Sequence, residues 1–407
     1  MGRAGVLQGV RWMRFEGLLE RQERGELGQA EAAEMLGVTE RTFRRWRDRL
    51  RAEGPEGLVD RRLGRVSGRR APAGEVARML ALYREMYGDF TVKHFHERLV
   101  QRHGYKLGYT VTRLALQSAG LVKPAPRRGK HRRKRPRRPL PGMLLHQDAS
   151  RHAWLPGASG QQDLVVTLDD ATGEIYSAFL VEEEGTASSF RGLCEVIARQ
   201  GLFCELYTDR AGHYFHTPEA GGPVSRTLLT QVGRALAQLG IGHVAGYSPQ
   251  ARGRSERAFR TLQDRLPKEL RLAGISGMAE ANAWLAESYI PAHNARFAVA
   301  AAVEGTAFVR PRDEAWRDAL CVQQERRVGN DNTVSWQGRR LQLPPSPLRP
   351  HFVRALVRVH EYPDGRVAIF HGPHRLVTFD AQGWPMALAV PNGAAAAIGA
   401  APAVAAA

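Results

Sequence analysis

The sequence predicts a multidomain chain. Amino-terminal all-α helix-turn-helix units lead into an α/β core with a mixed sheet, and a small β-barrel follows. Three observations predict it. Leu36-Gly37-Val38-Thr39 places a turn and an N-cap between two helical apolar patterns. From Met143, three strand patterns give way to alternating helices and strands. From Thr333, short strand patterns are separated by the hairpin-type turns Gln337-Gly338 and Pro363-Asp364-Gly365.

In the first unit, expected over residues 1–60, Gln29 to Leu36 reads as a helix with Ala33 and Leu36 inward. Thr39 caps a second helix reaching about Arg51, on which Phe43, Trp46 and Leu50 share one face. Arg41, Arg44 and Arg45 are left outward, where a recognition helix presents its side chains to base edges and phosphates. A generic helical pair with a solvated basic face is the alternative. Gly54-Pro55-Glu56-Gly57 ends the helix.

After a basic connector from Arg61 to Ala73, helical patterns cover Glu75–Tyr87, Thr91–Arg102 and about Thr110–Ala119. Leu80, Tyr83, Phe95, Leu99, Leu114 and Leu116 are their expected core. They form a second helix-turn-helix-like unit over 72–122, with His103-Gly104-Tyr105 as a turn. His94, His96 and His103 have no carboxylate or cysteine at ligand spacing and are read as exposed or locally bonded.

The linker, residues 123–142, holds the densest charge: nine of twelve positions from Arg127 to Arg138 are Arg or Lys. Self-repulsion, Pro136 and Pro139 argue against a packed element there. Arg127, Arg128, Lys130, Arg132, Arg133, Lys134 and Arg135 are the candidates to track a phosphate backbone; a solubilising linker is the bland reading. The net charge of +18 favours a polyanionic partner, and nucleic acid is the commonest. No apolar signal core or membrane-length run is present, and Cys194, Cys204 and Cys321 lack metal-ligand spacing. These features predict a cytoplasmic, reducing location and no membrane partner.

The core, expected over 143–305, reads as strands Met143–Asp148, Leu164–Leu168 and Glu174–Val181, helix Thr186–Gln200 and strand Cys204–Thr208. Helix Val224–Leu239, strand Gly242–Ala245 and helices Ser255–Leu272 and Met278–His293 follow. Three acidic residues stand out. Asp148 and Asp209 would occupy adjacent strand ends if the first and fourth strands pair in parallel, and Glu256 opens a helix able to approach from the side. Carboxylates suit hard Mg²⁺, and two ions roughly 3.5–4 Å apart can support in-line attack on a phosphodiester. Asp163, Asp169 and Asp170 compete; the last two are read as turn formers and Asp163 as exposed. Arg260, one turn from Glu256, is assigned either to a phosphate or to an intrahelical salt bridge.

Short strands Thr333–Trp336, Arg340–Leu343, Ala355–Tyr362, Arg366–Phe370 and Leu376–Phe379 make the expected barrel over 330–380. The Ala-, Gly- and Pro-rich tail over 392–407 is read as disordered.

Two blocks carry a family resemblance. Tyr207-Thr208-Asp209-Arg210, and Gln250-Ala251-Arg252-Gly253-Arg254-Ser255-Glu256-Arg257 followed by Thr261-Leu262-Gln263-Asp264-Arg265-Leu266, resemble bacterial insertion-sequence transposases of the ISNCY type, with a retroviral-integrase-like core. The resemblance implies an RNase H-like core and a DDE triad of Asp148, Asp209 and Glu256, binding two Mg²⁺ or Mn²⁺ ions. It further implies nicking at element ends, attack of the freed 3′-hydroxyls on target DNA, binding of double-stranded terminal inverted repeats, and a homo-oligomer that pairs the ends. There are departures. The interval from Asp209 to Glu256 exceeds the compact spacing of retroviral integrases, the excess falling in a loop at Thr217–Ser225. Ala258-Phe259-Arg260 stands where an Asn-Gly pair is frequent. A sequence-specific DNA-binding regulator with an inactive core is the second reading.

Overall fold

The computed structural model describes residues 3–59, 70–124, 126, 135–219, 222–225, 227–247 and 253–386. The chain opens with helices α1 (Arg3–Glu23), α2 (Gln29–Leu36), α3 (Glu40–Glu53), α4 (Ala73–Met86), α5 (Val92–His103) and α6 (Tyr109–Ser118). It divides into two compact units. The smaller comprises residues up to Met86 together with Gly104–Val122, and the larger comprises Tyr87–His103 with the residues from Lys123 onward.

In the smaller unit, Gly37 ends α2 in the left-handed region at φ 74°, and the Thr39 side chain accepts from Thr42 N to start α3. Phe43 is fully buried against Phe15, Leu18, Leu19, Ala32 and Ala33, with Trp46 and Leu50 packed alongside. The sequence reading missed α1, which supplies half of this core. Its Phe15, Leu18 and Leu19 fall at the i, i+3, i+4 spacing that could have revealed it. On α4 and α6 the apolar assignments shift by a position or two. Met79 is buried beside Tyr83, while Leu116 is buried and Leu114 is exposed.

The larger unit is built on a sheet of strands β1 (Leu145–His152), β2 (Gln162–Asp169), β3 (Ile175–Val181), β4 (Glu205–Thr208) and β5 (Gly242–Ala245), in the order β3-β2-β1-β4-β5. β1 pairs antiparallel with β2, and β2 with β3; β1 pairs parallel with β4, and β4 with β5. The expected mixed sheet is therefore present, with the first and fourth strands side by side.

Helices α7 (Thr186–Arg199) and α8 (Gln231–Gln238) cover one face, burying Phe190, Leu193, Val196, Val232 and Leu236 with Leu145 and Leu206. The other face is covered by α9 (Ser255–Ala273), whose Leu262, Leu266 and Leu270 pack on Leu164, Val166 and Leu168. Each of those leucines contributes about 1.5–3 kcal/mol of burial. Helix α8 is shorter than the predicted Val224–Leu239. The Ser225 hydroxyl accepts from Leu228 N, and Thr230 caps at Gly233 N, so the helix starts at Gln231. Helices α10 (Met278–Trp284) and α11 (Ile290–Phe297) are joined by a π-helical turn, Leu285–Tyr289, where one long helix was predicted.

Helix α5 belongs to this larger unit through charges. Glu269 of α9 is bonded to His94 and Arg98, and Glu97 is bonded to Arg265 and Arg296. Asp89 and Arg271 form a two-pronged pair at 2.7 and 3.0 Å. His94 is therefore neither exposed nor locally bonded but buried against the sequence-distant Glu269, and His103 meets the Tyr87 hydroxyl at 3.0 Å.

After the core, β6 (Val322–Arg327), β7 (Thr333–Trp336), β8 (Arg339–Gln342), β9 (Leu356–Glu361), β10 (Val367–His371), β11 (His374–Phe379) and β12 (Pro385–Met386) share one apolar core around Val334, Trp336, Phe352, Val359 and Ile369. Among the described residues these strands do not close into the predicted small β-barrel. They form an open antiparallel sheet, β12-β11-β10-β9-β6, with β7 and β8 as a separate hairpin. No described ladder joins the hairpin to the sheet, so the hydrogen-bonded circuit that defines a barrel is not completed. The tail over 392–407 lies outside the described residues. Among the described residues no helix is long and apolar enough to cross a membrane.

Candidate active site

Alternation along β1 decides where its side chains go. Leu145 and Gln147 face α7, and Gln147 Nε2 donates to Thr167 Oγ1 at 3.1 Å and to Ser189 O at 3.2 Å. His146, Asp148 and Ser150 take the other face, opposite Leu168, Val166 and Leu164 of β2, which is the face covered by α9. The β1–β4 register pairs Leu145 with Leu206 and His146 with Tyr207, and the rings of His146 and Tyr207 lie 5.0 Å apart. Carried two residues further, the same register sets Asp148 level with Asp209.

One expectation needs correcting. Asp148 is not at a strand end, because β1 continues against β2 to His152. Its neighbours on the other side stop, β4 at Thr208 and β5 at Ala245, so Asp148 stands where the sheet steps down from five strands to three. Asp209 follows β4 directly, and its Oδ1 accepts from Ala211 N at 2.9 Å, which shapes the turn after the strand. Thr208 is fixed by an Oγ1–His243 Nε2 contact of 3.0 Å. Burial holds the His243 imidazole down at about 4, so it is neutral at physiological pH.

Glu256 is exposed in the first turn of α9, where the helix dipole favours negative charge. Two contacts set how α9 lies on β1. At its start, Arg254 Nε meets Asp170 Oδ1 at 2.6 Å, and the same oxygen accepts from His146 Nε2 at 2.9 Å. Further along, Gln263 Nε2 donates to Ser150 Oγ at 2.9 Å. Arg254 to Gln263 spans about 13 Å of helix at ~1.5 Å per residue. His146 to Ser150 spans about 13 Å of strand at ~3.3 Å per residue. Helix and strand therefore run side by side in the same direction, and Glu256 comes within about one strand residue of Asp148 along β1.

Arg260 is exposed, and among the described residues it makes no ion pair with Glu256. Among the described residues no group of three or more His, Cys, Asp or Glu is gathered tightly enough to hold a metal ion. The all-carboxylate donor set nevertheless has the hard oxygen chemistry that Mg²⁺ or Mn²⁺ requires.

Sequence reasoning missed the polar network behind these carboxylates. The buried Tyr214 hydroxyl lies 3.1 Å from Gln147 Oε1 and 3.3 Å from Glu184 Oε1, and accepts from Ser189 Oγ at 3.2 Å. Burial pushes this phenol well above its usual range, and the charges of Glu184, Asp148 and Asp209 push the same way. Tyr214 is thus a neutral group sensing all three carboxylates. Its signal in the sequence was slight, an aromatic five residues after Asp209, and Glu184 was hidden in the run Glu182-Glu183-Glu184.

The competing acids have structural duties. Asp169 caps its turn by accepting from Thr172 N and Oγ1, as a turn former should, and also from Gly142 N. Asp163 is buried rather than exposed and accepts from Glu184 N at 2.8 Å. Asp170 is fully buried and does more than form a turn. Burial alone would raise its carboxyl; hydrogen bonds from His146 and Arg138 N, with the Arg254 charge, leave it below the usual carboxylate range.

Of the candidate DNA contacts, Arg41, Arg44 and Arg45 are exposed on α3. Arg127, Arg128, Lys130, Arg132, Arg133 and Lys134 lie outside the described residues. Arg135 lies 3.5 Å from Asp170, Arg137 donates to the carbonyls of Asp170 and Ala171, and Arg138 pairs with Glu205 at 2.7 Å. The end of the basic segment is therefore moored to the core.

The chain thus combines a helix-turn-helix unit carrying an outward arginine face with a mixed-sheet core whose aspartates stand level on adjacent parallel strands. Residues 18–66 match the family model of a helix-turn-helix domain. The chain is 33% identical over 356 residues to Putative transposase y4bF of Sinorhizobium fredii (strain NBRC 101917 / NGR234), an alignment covering 86% of this chain and 77% of that protein. It is 30% identical over 239 residues to the transposase for insertion sequence IS1202 of Streptococcus pneumoniae, covering 51% of each. The chain belongs to this family of insertion-sequence transposases. Among solved structures it is similar to a simian T-cell lymphotropic virus intasome chain (16% identity, 65% of this chain and 85% of that chain, TM-score 0.32). It is also similar to the HTLV-2 integrase catalytic core domain in complex with magnesium (16% identity, 37% and 88%, TM-score 0.27).

Proposed function

We propose that this transposase binds the terminal inverted repeats of its element, nicks the element ends and joins the freed 3′-hydroxyls to target DNA, with Asp148, Asp209 and Glu256 as the catalytic carboxylates. The observation that carries this reading is the level placement of Asp148 and Asp209 on adjacent strands, under a helix that brings Glu256 alongside. The three side chains would hold two Mg²⁺ or Mn²⁺ ions. Such ions activate the attacking oxygen and stabilise the leaving one.

The protein's own contribution is positioning. Rigid strands fix the aspartates, and Gln263 and Arg254 fix the line of α9. In hydrolysis a water oxygen bonds to phosphorus, the bond to the 3′-oxygen breaks, and that oxygen takes up a proton. In joining, the same 3′-hydroxyl loses its proton, attacks a target phosphodiester and displaces a 3′-oxygen there. One site serves both steps because both are in-line displacements at phosphorus. Arg41, Arg44 and Arg45 contact DNA from α3, and the basic segment tracks the backbone. Pairing of two element ends requires a homo-oligomer on the DNA.

The test is cleavage and strand transfer on end-sequence duplexes with Mg²⁺ or Mn²⁺. Asp148→Asn, Asp209→Asn and Glu256→Gln should each lower joining by a factor of at least about 10³ while end binding and folding persist. Joining at the parent rate by all three variants would discard the site. Binding without any cleavage by the parent would favour a DNA-binding regulator.

A further inference from the structure

A single buried carboxylate lies where three elements of the proposed site begin. Asp170 Oδ1 accepts from His146, two residues before Asp148 on β1. The same oxygen meets Arg254, two residues before Glu256 and at the N-cap of α9. Asp170 Oδ2 accepts from Arg138 N at 2.7 Å, and Arg135 approaches Oδ1 at 3.5 Å, so the end of the basic segment converges there too. The Arg254 guanidinium completes the knot by donating from Nη2 to Pro136 O at 2.8 Å and to Arg135 O at 3.3 Å. Asp170 is itself anchored through its backbone N, which donates to Leu144 O at 2.9 Å.

In the first turn of α9, Ser255 is buried while Glu256 and Arg257 are exposed. The apolar seal of α9 begins only at Phe259 and Leu262. Buried ion pairs are an uncertain source of net stability, because desolvation offsets attraction, but they select one geometry over its neighbours. A two-residue lever is short enough to transmit that choice to Glu256.

We infer that Asp170 is a positioning residue which, through Arg254 and His146, sets Glu256 and Asp148 from one point and ties both to the DNA-tracking segment. The inference rests on the catalytic assignment above for its consequence, but not for its geometry.

The experiment uses the full-length protein and two readouts. The first is backbone amide hydrogen exchange in metal-free protein at Ala258–Thr261, where Ala258 N donates to Arg254 O. Asp170→Asn and Arg254→Gln should each speed exchange there at least tenfold, while amides at Leu266–Leu270 keep the parent rate. The second is strand transfer, which should slow at least tenfold with end binding unchanged within twofold. The double variant should be no slower than the worse single, as expected for residues acting through one contact.

Arg254→Gln decides the matter if Asp170→Asn does not fold. Unchanged exchange at Ala258–Thr261, exchange raised along the whole of α9, or effects that multiply in the double variant would each overturn the inference. A Glu256→Gln protein that joins DNA normally would remove the catalytic reading yet leave the exchange result standing, so the two failures are separable.

Discussion

Replacing His293 with Gln should remove part of the larger unit's sensitivity to acid. His293 is buried on α11, beside the Tyr289 and Phe297 rings and facing Arg98, Arg265, Arg296, His94 and Glu269 across a cavity. Burial, reinforced by Arg265 and Arg296, lowers its imidazole from the ordinary 6.5 to about 4. The folded protein therefore keeps it neutral while the unfolded chain takes up a proton, so its contribution is intact above pH 6.5 and lost as pH falls toward 4. Between about pH 7.5 and about pH 4.5, that proton uptake costs about 2.5 kcal/mol. Urea unfolding followed by tryptophan fluorescence at both pH values reads it directly. The parent should lose about 2.5 kcal/mol more than His293→Gln over the interval. Equal losses would mean that His293 is protonated in the folded state, and that the burial argument is wrong.

Two further outcomes follow from close packing and from charge. A Cβ added at Gly192 would lie 2.6 Å from Gln147 Nε2 and 3.3 Å from Thr167 Oγ1, so Gly192→Ala should displace the residue next to Asp148. A loss of about 1–3 kcal/mol in thermal unfolding, with slower strand transfer, is the expected result. Arg44→Ala should leave the unfolding midpoint unchanged and reduce the slope of log binding constant against log salt by about 1, measured by titration of end-sequence DNA.

Local signals were legible where the cause is local. Thr39 announced its helix because a hydroxyl before an apolar pattern has few other uses, and Phe43, Trp46 and Leu50 fixed which face was inward. The strand at Leu206–Thr208 and the aspartate after it were equally plain. The parallel pairing that levels Asp148 with Asp209 was posed as a condition and met by the structure. What escaped depended on partners distant in sequence. Nothing near His94, Glu97 or Arg98 indicates that α5 is held by Glu269, Arg265 and Arg296. Asp170 looked like half of a turn because its real partners, His146, Arg138 and Arg254, come from three other segments. Barrel closure was not legible for a related reason: short alternating strands specify sheet and hairpins, while closure depends on how the edges meet.

The smaller unit is interrupted by Tyr87–His103, which packs with the larger one. Neither unit is therefore a single continuous stretch of the chain. Evolution or an engineer could try to retarget such a transposase by exchanging everything before Lys123. That exchange would import a foreign helix in place of α5 and strand Glu269, almost fully buried, without His94 or Arg98. Removing one side of a buried pair costs about 3–5 kcal/mol, a large share of a domain's stability. A workable graft carries two crossovers, sparing Tyr87–His103 as native sequence while replacing the segments on either side of it.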